Sequence, residues 1–230
     1  MTHNSRLIEV IPSLPALTFQ ELSAKIGKVA GLVETFQIDV ADGMFVPNRS
    51  WPMNPHDAAQ FARMVKGDEA LPHKNEMDFE VHFMAHNPEK LLPDWIKLGI
   101  VRAIFHIEAR HDFSTLRSLA GDAVELGVAL NIGTSISRID AYIGHISVVQ
   151  LMGIAKIGVQ GQPFDPRVLD MIAQVKERYG DVIIEVDGSV NVDTAPVLIE
   201  AGATRLAPGS YVLNAEDPKS AIDALTSLST

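Results

Sequence analysis

Four β-rich segments of this chain put polar side chains at every second position among apolar ones. Gln37 and Asp39 alternate with Phe36, Ile38 and Val40. Glu80, His82 and Met84 alternate with Phe79, Val81 and Phe83. His106 and Glu108 flank Ile107, and Glu185 and Asp187 flank Val186. Successive side chains of a strand point to opposite faces, so each segment has one apolar and one polar face. A buried carboxylate is costly unless it is partnered. Strands with this pattern must aim their polar faces at one shared place.

The order of elements says what kind of place. Short β-rich segments recur at Leu7 to Ile11, Phe36 to Val40, Phe79 to Phe83, Arg102 to His106, Val128 to Asn131, Val148 to Met152, Val182 to Val186 and Arg205 to Ala207. Between them lie segments with helical spacing, such as Phe19, Leu22, Ile26 and Val29, or Val168, Leu169, Ile172 and Val175. Asp165 with Pro166, and Asn87 with Pro88 and Glu89, read as helix starts; Gly99, Gly127, Gly180 and Gly202 read as stops. Eight strands alternating with helices predict a single parallel (β/α)8 TIM barrel over residues 1–230, with an open doubly wound sheet as the alternative. The polar faces favour the barrel, because only a closed barrel turns one face of every strand into a common lumen. The stretch from Gly67 to Asp78 is longer than a barrel connection needs and reads as a surface loop.

Composition narrows the partners. With 230 residues, 47% of them hydrophobic, and no low-complexity linker, the chain can bury a large core. A formal net charge of -10 argues against general attraction to nucleic acid or an anionic membrane, so an anionic ligand must be met locally. The absence of cysteine removes disulfides and thiolate metal sites. No basic and apolar leader is visible at the N-terminus, and no apolar run nears the ~20 residues that span a bilayer. The expected address is the cytoplasm, and the expected assembly a homo-oligomer.

Asp39 and Asp187 come from strands roughly opposite one another in such a barrel. Two carboxylates on opposite faces of a substrate suit removal of a proton from one side of a carbon and its return to the other, which is epimerisation. The developing enediolate needs positive charge or hydrogen-bond donors. A divalent metal is one answer, with His82 and the two aspartates as ligands. The bland alternative is a structural hydrogen-bond network. Glycine-rich loops follow the last three strands, at Gly158 to Gln162, Asp187 to Val190 and Pro208 to Ser210. Their backbone N–H groups can approach an anion closely, as the phosphate sites of barrels do.

At these residues the chain resembles the ribulose-phosphate 3-epimerase family, including the allulose-6-phosphate 3-epimerases, over nearly its whole length. The resemblance is carried by Ile11-Pro-Ser13, Asp39-Val-Ala-Asp-Gly-Met-Phe-Val-Pro-Asn48, Val81-His-Phe-Met84, Phe105-His-Ile-Glu-Ala109, Ala129-Leu-Asn131, Gly161-Gln-Pro-Phe164, Glu185-Val-Asp-Gly-Ser189, and Ala201-Gly-Ala203 with Gly209-Ser210. It implies a barrel enzyme that interconverts ketose phosphates, pentulose or hexulose, at carbon 3 with a divalent metal (Zn, Mn, Mg or Fe). Asp39 and Asp187 would be the acid/base pair. Asp39, His82 and Asp187 match three of four family metal ligands, and Ser13 a substrate-contacting serine. Met84 and Met152 would line the lumen. Gly158, Val159, Gln160, Gly161, Gly188, Ser189, Gly209 and Ser210 would hold the phosphate.

The fourth family ligand, a histidine two residues before the first aspartate, is Gln37 here. An amide carbonyl is a poorer donor for zinc than imidazole and suits a harder ion such as Mn²⁺ or Mg²⁺. Ala41 stands where the family has methionine, which enlarges the lumen. Ile157 to Gln162 replaces a Pro-Gly-Phe-Gly-Gly-Gln loop. Two further readings follow from these departures: a different sugar-phosphate reaction in the same lumen, or a non-catalytic sugar-phosphate binder. His106 and Glu108 read as supporting residues. His56, His73, His86, His111 and His145 read as solvated. Trp95 reads as core, and Trp51 as part of a loop that could cover the substrate.

Overall fold

A computed structural model describes residues 8–158 and 161–228. The first β-rich segment, expected over Leu7 to Ile11, runs on past Pro12, which has no N–H to give to a ladder and divides it in two. Its halves are β1 (Glu9–Val10) and β2 (Ser13–Leu14). There follow α1 (Phe19–Val29), β3 (Thr35–Ala41), α2 (Ala58–Lys66), β4 (Asp78–Met84), α3 (Leu92–Leu98), β5 (Arg102–His106), α4 (Phe113–Ala120), β6 (Glu125–Leu130), β7 (Val148–Met152), α5 (Arg167–Tyr179), β8 (Ile183–Asp187), α6 (Ala195–Ala201), β9 (Arg205–Ala207), α7 (Ser210–Leu213) and α8 (Pro218–Thr226).

All nine strands form one parallel sheet in the order β1-β9-β8-β7-β6-β5-β4-β3-β2. Its two edges are joined through the split segment. β1 pairs with β9 and β2 with β3, while Ile11 N donates to Leu206 O at 2.8 Å and Gln37 N to Pro12 O at 2.9 Å. The sheet therefore closes into the expected barrel.

Helices form where local chemistry supports them. Thr18 caps α1 by accepting from Glu21 N, and Leu22, Ile26 and Val29 face inward along one stripe. Gly67 and Gly99 end α2 and α3 in the left-handed conformation. Between sheet and helices Trp51, Trp95, Phe36, Phe79, Phe83 and Phe105 are fully buried. Each such side chain contributes about 1.5–3 kcal/mol through area removed from water.

Three local expectations are corrected. Gly127 does not stop a helix. It lies inside β6, where an added Cβ would press Ile104 at 3.1 Å and the Val148 carbonyl at 3.2 Å. The connection from β6 to β7 carries a 3₁₀ segment (Ile136–Ala141) and no α-helix among the described residues, bounded by Gly133 and Gly144 at positive φ. Trp51 is no substrate cover, since it packs among Phe19, Phe61 and Trp95 behind the sheet. The stretch after Gly67 is a loop, pinned by buried Leu71 and Met77.

Register turns the polar faces inward. Gln37 lies beside Glu80, Asp39 beside His82, Gln150 beside Glu185 and Met152 beside Asp187. Below Asp39 and Asp187, Glu80 pairs with Arg102, Arg102 with Glu125 at 3.0 Å, and Arg205 with Glu9 at 2.5 Å. Burial raises the pKa of Glu185 well above the carboxylate range, and the charge of Glu80 adds to it. Neither Glu185 oxygen, nor Oε1 of Glu80, has a donor in the described structure.

Candidate active site

Asp39 and His82 share one register position near the C-terminal ends of β3 and β4, and Asp187 is the last residue of β8. Active sites of such barrels lie at this end. His82 Nδ1 stands 3.0 Å from Asp39 Oδ1 and 3.7 Å from Asp187 Oδ2. Each of the three residues offers a donor atom within 4.8 Å of the others, and all three are buried.

The other imidazole nitrogen of His82 sets its tautomer. His82 Nε2 lies 2.9 Å from His106 Nε2, and His106 Nδ1 lies 3.1 Å from Glu108 Oε2. Burial lowers the His106 pKa to about 4, so the ring is neutral at pH 7. Glu108 is held at about 2. Burial opposes this, but His106, Thr134 and the Asn131 N–H all stabilise the anion. His106 must then donate from Nδ1 to Glu108 and accept at Nε2. His82 therefore carries a proton on Nε2 and turns Nδ1 toward the aspartates. A carboxylate that orients an imidazole in this way is the support commonly given to metal-binding histidines, here lengthened by one histidine. The pKa of His82 is lowered by burial but raised more by Asp39, then Asp187 and Glu80, with a net upward direction.

Asp187 is pushed up to about 7 by burial and then by the charge of Asp39. Ser13 Oγ donates to its Oδ1 at 3.3 Å. Gln37 Nε2 donates to Asp39 Oδ1 at 2.8 Å. Two carboxylates converging on one imidazole nitrogen, with buried amide oxygens of Gln37 and Gln150 lacking partners, form a donor set that fits a divalent cation.

A cavity of about 300 Å³ opens directly above. Ser13, Asp39, Met84, Met152 and Asp187 line its floor. Gly158, Gly161, Gly188, Ser189, Gly209 and Ser210 line its side, so the late loops meet the carboxylates in one space. His82 and Gln37 lie beneath it, fully buried. Val159 and Gln160 fall outside the described residues. Gly188 (φ 103°) and Ser189 (φ 55°) hold left-handed backbone, and a Cβ on Gly188 would strike Ile154 at 2.9 Å. The β3 loop closes one rim: Asn48 Nδ2 donates to Gly158 O at 2.9 Å, and Val46 sits under Gly158.

Residues not singled out from sequence also enter. Asn191 and Tyr211 line the cavity, and Gln150 reaches into the cluster with Nε2 3.2 Å from His82 Nδ1 and 3.5 Å from Asp187 Oδ2.

Residues 9–213 match the profile of the Ribulose-phosphate 3 epimerase family. The chain belongs to the ribulose-phosphate 3-epimerase family. It is 34% identical to a ribulose-phosphate 3-epimerase of Bacillus subtilis over 226 residues, 95% of this chain and 98% of that one. It is 31% identical to one of Methanocaldococcus jannaschii, covering 95% and 90% of the two chains. Among solved structures, KGPDC from Streptococcus mutans matches with a TM-score of 0.67 at 12% identity, covering 96% of this chain and 97% of that one. A 3-hexulose-6-phosphate synthase matches with 0.64 at 20%, covering 96% of this chain and 99% of that one. These two share the barrel fold. Gln37, read from sequence as a departure from the family pattern, uses its amide to hold Asp39.

Proposed function

We propose that the chain is a sugar-phosphate isomerase, a single-domain ketose-phosphate 3-epimerase acting on a pentulose or hexulose phosphate, with Asp39 and Asp187 as its acid/base pair. The observation that carries this is the placement of Asp39 and Asp187 on the floor of one cavity, 3.0 and 3.7 Å from the same imidazole nitrogen of His82. In the cation-free protein burial and then the charge of Asp39 push Asp187 up to about 7, and Gln37 Nε2 donates to Asp39. Two carboxyls that face one cavity from different strands can act on opposite sides of a substrate as base and acid.

Asp39 takes the proton from carbon 3 on one side of the sugar, and Asp187 returns one from the other side, inverting the centre. In the reverse direction the roles exchange. Asp39, His82 and Asp187 would hold a divalent cation, which would supply positive charge for the developing enediolate. Met84 and Met152 present soft apolar surface to the planar carbon framework and keep bulk water from it. Backbone N–H groups around Gly188, Ser189, Gly209 and Ser210 take the phosphate, which explains how an acidic protein binds an anion without a basic patch.

The test follows ribulose 5-phosphate and allulose 6-phosphate in D₂O by NMR, with the protein metal-stripped or loaded with Zn²⁺, Mn²⁺ or Mg²⁺. The proposal expects metal-dependent deuterium entry at carbon 3 with formation of the epimer. Thermal stabilisation by either sugar phosphate without deuterium entry would identify a binding protein instead.

A further inference from the structure

The two buried glutamines of the lumen are matched in a way that coincidence does not explain. Gln37 Nε2 lies 2.8 Å from Asp39 Oδ1, and Gln150 Nε2 lies 3.2 Å from His82 Nδ1 and 3.5 Å from Asp187 Oδ2. Both side chains are fully buried, and both carbonyl oxygens lack a partner. An unpaired buried acceptor is costly, and here one belongs to a side chain touching Asp39 and the other to a side chain touching His82 and Asp187.

The spacing of these atoms is that of one coordination sphere. Cation–oxygen distances of about 2.1 Å place adjacent ligands about 3 Å apart. Asp39, His82, Asp187 and the two amide tips are linked by separations of 2.8 to 3.7 Å. A half turn of the last side-chain torsion exchanges Nε2 with Oε1 at either glutamine. It would bring the orphaned oxygens toward the cluster and release the Nε2 groups. Acceptors are available for them. Glu80 is the register neighbour of Gln37 and Glu185 that of Gln150, and both glutamates have oxygens without donors.

We propose that Gln37 and Gln150 are a pair of amide toggles. Without a cation their nitrogens hold the lumen cluster together. With one bound they turn their oxygens into the cluster, so that two neutral oxygen donors join Asp39, His82 and Asp187. Such an oxygen-rich set selects Mn²⁺ or Mg²⁺ over Zn²⁺. The inference rests on reading the lumen as a cation site of an epimerase, and its test is made without sugar phosphate so that the two can fail separately.

Titration calorimetry of the full chain with Mn²⁺ and Zn²⁺ compares wild type with Gln150→Met, which keeps the bulk and removes the carbonyl, and with Gln37→His. The expected result is a tenfold or greater loss of Mn²⁺ affinity in Gln150→Met with less than threefold change for Zn²⁺, and a tenfold gain for Zn²⁺ in Gln37→His. Mn²⁺ affinity in Gln150→Met within twofold of wild type overturns the proposal, as does the absence of cation binding by the wild type. A second measurement needs no variant: Mg²⁺ added to the ¹⁵N-labelled protein should move the side-chain amide resonances of both glutamines. Unmoved resonances at Mg²⁺ saturation would equally overturn it. Deuterium entry at carbon 3, measured separately, reports on the epimerase reading alone.

Discussion

Replacing Glu108 by glutamine tests the histidine relay, because it removes a charge and little else. Glu108 accepts from His106 Nδ1 at 3.1 Å, from Asn131 N at 2.9 Å and from Thr134 Oγ1 at 2.5 Å. These partners hold its carboxyl at about 2 instead of 4.5, against the opposing effect of burial. At about 1.4 kcal/mol per tenfold, that corresponds to about 3 kcal/mol of stability at pH 7. The folded pKa is the depressed one, so this stability is present above about 4.5 and is lost as pH falls toward 2. Urea unfolding of wild type and Glu108→Gln should therefore differ by about 3 kcal/mol at pH 7 and by about 2 kcal/mol at pH 3.5. The same variant frees the tautomers of His106 and His82, and divalent-cation affinity should fall roughly 10- to 100-fold. A stability difference below about 0.5 kcal/mol at pH 7, with unchanged cation affinity, would refute the relay.

Two other substitutions separate stability from function. Asp187 has its folded pKa raised from 3.8 to about 7, so in the cation-free protein it costs stability as pH rises through that window. Asp187→Asn should stabilise the metal-stripped protein by a few kcal/mol at pH 8 and by little below pH 4, as read from urea midpoints. Gly153→Ala would place a Cβ 2.3 Å from the Gly188 carbonyl, which is backbone and must move. It should cost about 1–3 kcal/mol of stability and raise KM for the sugar phosphate while leaving divalent-cation affinity near that of wild type.

Much of the fold and site was legible because strand alternation is local. Gln37 with Asp39, Glu80 with His82, and Glu185 with Asp187 show by spacing alone that one strand face is polar, and such faces recurring among eight alternating strands imply a lumen. Gln150 escaped because a lone polar residue between Val149 and Leu151 carries no periodic signal; only register beside Glu185 and contact with His82 reveal it. Arg102 looked like the start of a strand, whereas its role depends on Glu80, a partner 22 residues away. Gly127 looked like punctuation because glycine has both uses, and close approach to Ile104 and Val148 is not written in its neighbours. The tautomer of His82 depends on the chain His82–His106–Glu108, which joins β4, β5 and the turn after β5, and no single segment contains it.

The most direct test of the two-carboxylate account is the rate of deuterium entry at carbon 3 of ribulose 5-phosphate for wild type, Asp39→Asn and Asp187→Asn, each loaded with Mn²⁺ and checked for its fold. The account predicts exchange in the wild type and its loss in both variants, since neither amide can take up or deliver the proton. Wild-type exchange that persists in either variant would contradict the assignment of that aspartate.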